Sequence, residues 1–285
     1  MNRGLTVSLR SGGDELIFAA SSPLRITAGG LRGFDYPETD VELTDGADGR
    51  VSYVRRAFVC ARRMSIRFEL ADTCSFRSVR DRVNRIMTLG NVLTLSTYFL
   101  GRRRTAEVIP AKAPEYIFDS LSDPVQIILH LTAEEPYFTE GITLRTAVPA
   151  SRAVMTFPLN FIKGVGAVTA FSGPKAAAVI HNPGDTDCPV TAYLYADGTV
   201  REPYIMLGDR KIRLAGELSA GDRVKIESGG GKHTITVNGA VRSDIDRNSR
   251  FFSLKPGDNT VVVNAAYGGS ALRSYFEFMP RYFGI

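Results

Sequence analysis

Apolar residues recur at every second position along most of the chain, in short runs separated by Gly, Pro, Asn and Asp. Such alternation marks half-buried β-strands, whose side chains point in turn to core and solvent. Met64, Ile66, Phe68 and Leu70 alternate with Ser65, Arg67 and Glu69, while Val125, Ile127, Leu129 and Leu131 leave His130 on the opposite face. In the second half the pattern returns over residues 190–195, 224–226, 235–237, 261–263 and 272–278, spaced as in a β-sandwich. One segment departs from it. Over residues 75–89, Phe76, Val79, Val83, Ile86 and Met87 fall at helical spacing with Arg77, Arg80, Arg82 and Arg85 on other faces. A single amphipathic helix is predicted, with Ser75 as N-cap and Gly90 as its stop.

Turn chemistry supports the strands. Asn238-Gly239 follows Ile235-Thr236-Val237 and can take positive φ at both central positions of a tight hairpin turn, and Gly229-Gly230-Gly231 joins the strands before it in the same way. A chain of 285 residues exceeds what one core usually spans, and composition shifts near residues 136–151. Two domains are expected, 1–143 and 144–285, both mainly β: a sandwich or barrel-like domain carrying the one helix, then a β-sandwich.

At 44% hydrophobic and 23% charged residues the chain is an ordinary globular one. No run approaches the roughly 18 apolar residues of a membrane helix, and Met1-Asn2-Arg3-Gly4 opens no signal-peptide core. Assembly in a cytoplasm is expected. Cys60, Cys74 and Cys188 are widely spaced and read as structural thiols.

The net charge of +5 is unevenly spread, since residues 55–104 hold twelve arginines against three acids. That band is net +9. Arginine outnumbers lysine 28 to 7, and the clusters Arg62-Arg63 and Arg102-Arg103-Arg104 read as turn residues. Guanidinium forks suit bidentate carboxylate pairing at protein interfaces as well as phosphate. Neither interleaved aromatics nor a recognition helix surrounds the clusters, so Arg62, Arg63, Arg102, Arg103 and Arg104 are read as subunit or partner contacts, without specific nucleic-acid binding.

No catalytic, cofactor-binding or metal-binding residues are expected. His130, His181 and His233 lie far from any second ligand at zinc spacing. Ser228-Gly229-Gly230-Gly231-Lys232 lacks phosphate-loop spacing, and no GxSxG, HExxH or EF-hand pattern occurs. A sugar platform built from Tyr193, Tyr195, Tyr204, Tyr267 and Tyr275 is the alternative, for a lectin-like module in host adhesion.

Read in order, Leu43-Thr44-Asp45-Gly46 and Asp48-Gly49, the Arg55-Arg56 strand, the helix with its Gly90 stop, Val92-Leu93-Thr94-Leu95, Arg103-Arg104, and Glu134-Glu135-Pro136-Tyr137-Phe138 resemble the first domain of the distal tail proteins of siphophages. Asn182-Pro183-Gly184-Asp185, Gly221-Asp222-Arg223-Val224-Lys225-Ile226, Val237-Asn238-Gly239 and residues 249–259 are similar to that family's galectin-like, jelly-roll second domain. The resemblance implies a tail-tube-type first domain forming a hexameric ring at the virion tail tip, assembled in the host cytoplasm. Its partners would be the tail tube protein, the tail-hub protein and a receptor-binding protein, with DNA passing through a lumen that is not net basic. It implies no enzyme, no cofactor and no membrane partner.

Overall fold

The computed structural model describes residues 4–45, 52–71, 75–118, 124–148 and 177–285. Gly46, Asp48, Gly49 and Cys74 lie outside the described residues, as does the end of the 136–151 break. The chain divides into two compact units, Met1–Gly141 together with Arg281–Ile285, and Ile142–Pro280.

The first unit contains β1 (Thr6–Ser11), β2 (Asp14–Phe18), β3 (Leu24–Arg32), β4 (Thr39–Asp45), β5 (Ser52–Val59), β6 (Arg62–Leu70), α1 (Phe76–Ile86), β7 (Leu93–Phe99), β8 (Arg102–Pro110), β9 (Glu115–Ile117) and β10 (Gln126–Ala133). Its main sheet runs β6-β3-β2-β1-β7-β8-β10, and β6 pairs with both β3 and β10, which closes seven strands into a barrel with β9 beside β10. Closure removes open edges from this wall. The inward positions are those the alternation marks: Met64, Ile66 and Phe68 on β6, and Ile127, Leu129 and Leu131 on β10. Phe18 meets Phe68 edge to face at 4.9 Å.

Helix α1 lays Val79, Val83 and Ile86 into the same core and leaves its arginines in solvent. It ends earlier than its periodicity suggests. Met87 takes the C-cap and Gly90, at φ 90°, lies in the following turn, while Asn91 Nδ2 donates to the Arg85 and Ile86 carbonyls at 3.2 and 3.3 Å. At the start Ser75 offers its carbonyl, not its hydroxyl, to Ser78 Oγ at 2.9 Å.

The arginine clusters, expected in turns, are instead the first residues of β6 and β8. Residues 281–285, expected at the end of the second domain, pack in the first unit, where Tyr282 is buried and pairs with Phe138 across a backbone bridge.

The second unit holds β11 (Leu144–Val148), β12 (Ala177–Asn182), β13 (Val190–Ala196), β14 (Val200–Leu207), β15 (Arg210–Arg213), β16 (Glu217–Leu218), β17 (Arg223–Gly229), β18 (Lys232–Val237), β19 (Ala240–Val241), β20 (Gly257–Tyr267) and β21 (Leu272–Phe278). They form a six-stranded sheet, β11-β21-β13-β17-β18-β19, and a second sheet, β12-β20-β14-β15, with β16 beside β14. Leu194, Ile226 and Phe276 of one sheet and Ile205, Val261 and Val263 of the other share one core, which makes the unit a two-sheet β-sandwich. Asn238 and Gly239 have φ 52° and 85° between β18 and β19, the backbone the tight turn demands.

Candidate assembly interface

The five arginines separate into two groups. Arg62, only 2% exposed, donates from Nε to the Pro136 carbonyl at 2.8 Å, from Nη1 to Gly33 at 3.2 Å and from Nη2 to Phe283. One guanidinium thereby ties three loops to the start of β6. Burial pushes its pKa down to about 10, with the nearby Asp35 charge working the other way. Arg104, 8% exposed, lies flat over the Tyr282 ring at 3.2 Å. Both are occupied within their own unit. Arg63, Arg102 and Arg103 are exposed and remain available to a partner.

Sequence reasoning named a strand at Arg55-Arg56 but missed that it pairs with residues 39–45 as a ribbon inserted between β3 and β6. Strands β4 and β5 pair only with each other, outside the barrel, and nearly every residue on them is exposed. Register pairs Glu42 with Arg56 and Leu43 with Val54, with a bulge at Arg55 between them. Alternation then gives the ribbon two unlike faces. Asp40, Glu42, Thr44, Tyr53, Arg56 and Phe58 share one; Val41, Leu43, Val54, Ala57 and Val59 share the other, with Thr39, Asp45 and Ser52 at its ends. Val41, Leu43 and Val54 are 46%, 61% and 63% exposed. A lone two-stranded hairpin is marginal in water, and covering those three side chains is worth about 3–5 kcal/mol. The signal was present in the sequence as Val41, Leu43 and Val54 at alternate positions, with nothing to say that their face lacks a core.

A second exposed feature caps β7 and β8. Phe99 pairs with Arg102, leaving Leu100-Gly101 as a two-residue turn with φ 49° and 80°. Such turns want Asn or Gly first. Leucine there costs about 1 kcal/mol, and the residue is 80% exposed, so no contact among the described residues offsets the strain.

The tyrosines proposed for sugar do not converge. Tyr193 and Tyr275 oppose each other across β13 and β21 with rings 4.6 Å apart and 15° from parallel, Tyr195 stacks 5.9 Å from Tyr275, and Arg145 covers Tyr275 at 3.7 Å. Stacked this way they turn ring faces to one another, where a pyranose platform needs an open face. Tyr204 and Tyr267 stand in the other sheet. Among the described residues no group of three His, Cys, Asp or Glu is placed to hold a metal, and no helix is long and apolar enough to cross a membrane. His181 pairs with Asp258 at 2.7 Å and His130 with Glu115 at 3.3 Å.

Residues 183–282 match the siphovirus-type tail component family, C-terminal domain. No curated protein matches the chain. Among solved structures the Dit protein (gp 19.1) of SPP1, described as a paradigm of the hub adsorption apparatus in phages infecting Gram-positive hosts, superposes with a TM-score of 0.65 at 12% identity, over 96% of this chain and 98% of that one. A chain of the phage P2 baseplate in its activated conformation with Ca gives 0.44 at 9% identity, over 97% of this chain and 98% of that one. The p2 baseplate with Sr gives 0.42 at 9%, over 96% and 97%.

Proposed function

We propose, on the premise that residues 183–282 belong to the siphovirus-type tail components, that this chain is a distal tail protein, a structural and non-catalytic part of the virion tail tip. In this reading six copies form a ring that joins the tail tube protein to the tail hub and adsorption apparatus, receptor-binding protein included. Residues 1–143, completed by 281–285, form the ring. Assembly takes place in the host cytoplasm, and DNA passes through the lumen without specific binding.

The observation that carries this reading is the β4–β5 ribbon, whose apolar face enters no core formed by the described residues. Monomers seldom leave such a face open, whereas a closed ring covers it once per subunit. Arg63, Arg102 and Arg103 are the arginines assigned to subunit or partner contacts; Arg62 and Arg104 support them from inside. Electron microscopy of the purified protein tests the reading. Six-fold rings are expected, and a population of monomers at every concentration would refute it.

A further inference from the structure

Two patches of the first unit have no partner among the described residues, and they are complementary. The β7–β8 turn offers an apolar knob, Leu100, beside the cations Arg102 and Arg103. Strand β4 is an open edge that offers apolar Val41 and Leu43 with Asp45 on one face and the carboxylates Asp40 and Glu42 on the other. They spring from different strands of the wall. Around the closed wall, β3 and β6, which carry the ribbon, are separated from β7 and β8 by β2 and β1 in one direction and by β10 in the other.

We infer that the β7–β8 turn of one copy docks on the β4–β5 ribbon of a second copy of this chain, Leu100 seating on the apolar face while Arg102 and Arg103 reach over the open β4 edge to Asp40 and Glu42. The inference rests on the ring reading and names its contact. Because unlike patches meet, the contact is heterologous, repeats from copy to copy and closes when the rotation does. It also accounts for Leu100. A residue that strains its own turn and reaches solvent gives the free chain nothing, and a position of that kind signals function. Arg63 lies at the start of β6, next to the ribbon, and is not required by this contact.

The test uses the whole chain, followed by light scattering after size exclusion with melting temperature as the folding control. Leu100→Asn removes the knob but suits positive φ, so the free chain should melt no lower while association weakens at least tenfold. Arg102→Glu with Arg103→Glu should abolish rings, and adding Asp40→Arg and Glu42→Arg should restore them. Rings unaffected by Leu100→Asn and by the reversed arginines, or not restored by the charge swap, overturn this contact and leave the ring reading in place. A wild-type chain that never assembles overturns both.

Discussion

Asn182, 1% exposed, shows why the second domain's motifs can be recognised: its Nδ2 donates to the Thr186 and Leu254 carbonyls, both at 3.1 Å, and its Oδ1 accepts from the Gly184 amide at 2.9 Å. Asn259 does similar work, donating to Lys255 and Gly257 at 2.7 and 3.0 Å. These asparagines hold turns. Two further motifs turn out to be one device, because Asn238 of the β18–β19 turn donates to Asp222 at 2.8 Å and accepts from the Arg223 amide at 2.9 Å. The Asn238 bond, helped by the Ser219 amide, holds the Asp222 carboxyl below its ordinary 3.8. A depressed carboxylate contributes stability that is complete above the unfolded value and is lost as pH falls through the folded one. The melting temperature of the second unit should therefore decline below about pH 4, and Asp222→Asn should flatten that decline, as calorimetry across pH 2 to 6 would show. An unchanged slope in the variant would count against the network.

At the level of elements, alternation made β6, β10, β13, β17, β18, β20 and β21 legible, since each has one face in a core and period two records that directly. The helix was legible for the same reason, although its end was not: Asn91 stops it by bonding back to two carbonyls, a contact that periodicity does not encode. Arg62 and Arg104 were misplaced because a buried arginine is paired by backbone carbonyls and a ring from distant segments, and charge alone reads as surface. The ribbon was illegible as an interface because an apolar strand face looks alike whether a core or another chain covers it. Its independence from the barrel gives a prediction. Replacing residues 39–59 by a short Gly-Ser link should leave the barrel folded, with a melting temperature within a few degrees of wild type, yet abolish rings in light scattering. Loss of the folded barrel instead would make the ribbon part of the core and remove it as the assembly element.

For the whole molecule, the consequential feature is that the first unit is not continuous in sequence. The chain leaves it after Gly141, builds the second unit and returns with Arg281–Ile285. Those residues carry weight beyond their number. Tyr282 is 2% exposed, stacks under Arg104 and exchanges backbone hydrogen bonds with Phe138 at 2.8 and 2.9 Å, and the Phe283 carbonyl accepts from Arg62. Arg281 reaches Glu135 at 2.5 Å. Deleting residues 281–285 empties a space the size of a large aromatic side chain and removes one of the carbonyls that hold Arg62, so the loss should be about 3–5 kcal/mol. The second unit keeps its own core of β-sandwich residues and does not draw on this segment. Calorimetry of the truncated chain should therefore show one transition lowered by about 10 °C and a second at its wild-type temperature. A uniform fall of both transitions would mean that the two units unfold as one, whereas no fall in either would mean that the barrel closes without its returning strand of chain. The same truncation should also weaken ring formation, because Arg104, next to Arg102 and Arg103 on β8, loses its contact with Tyr282.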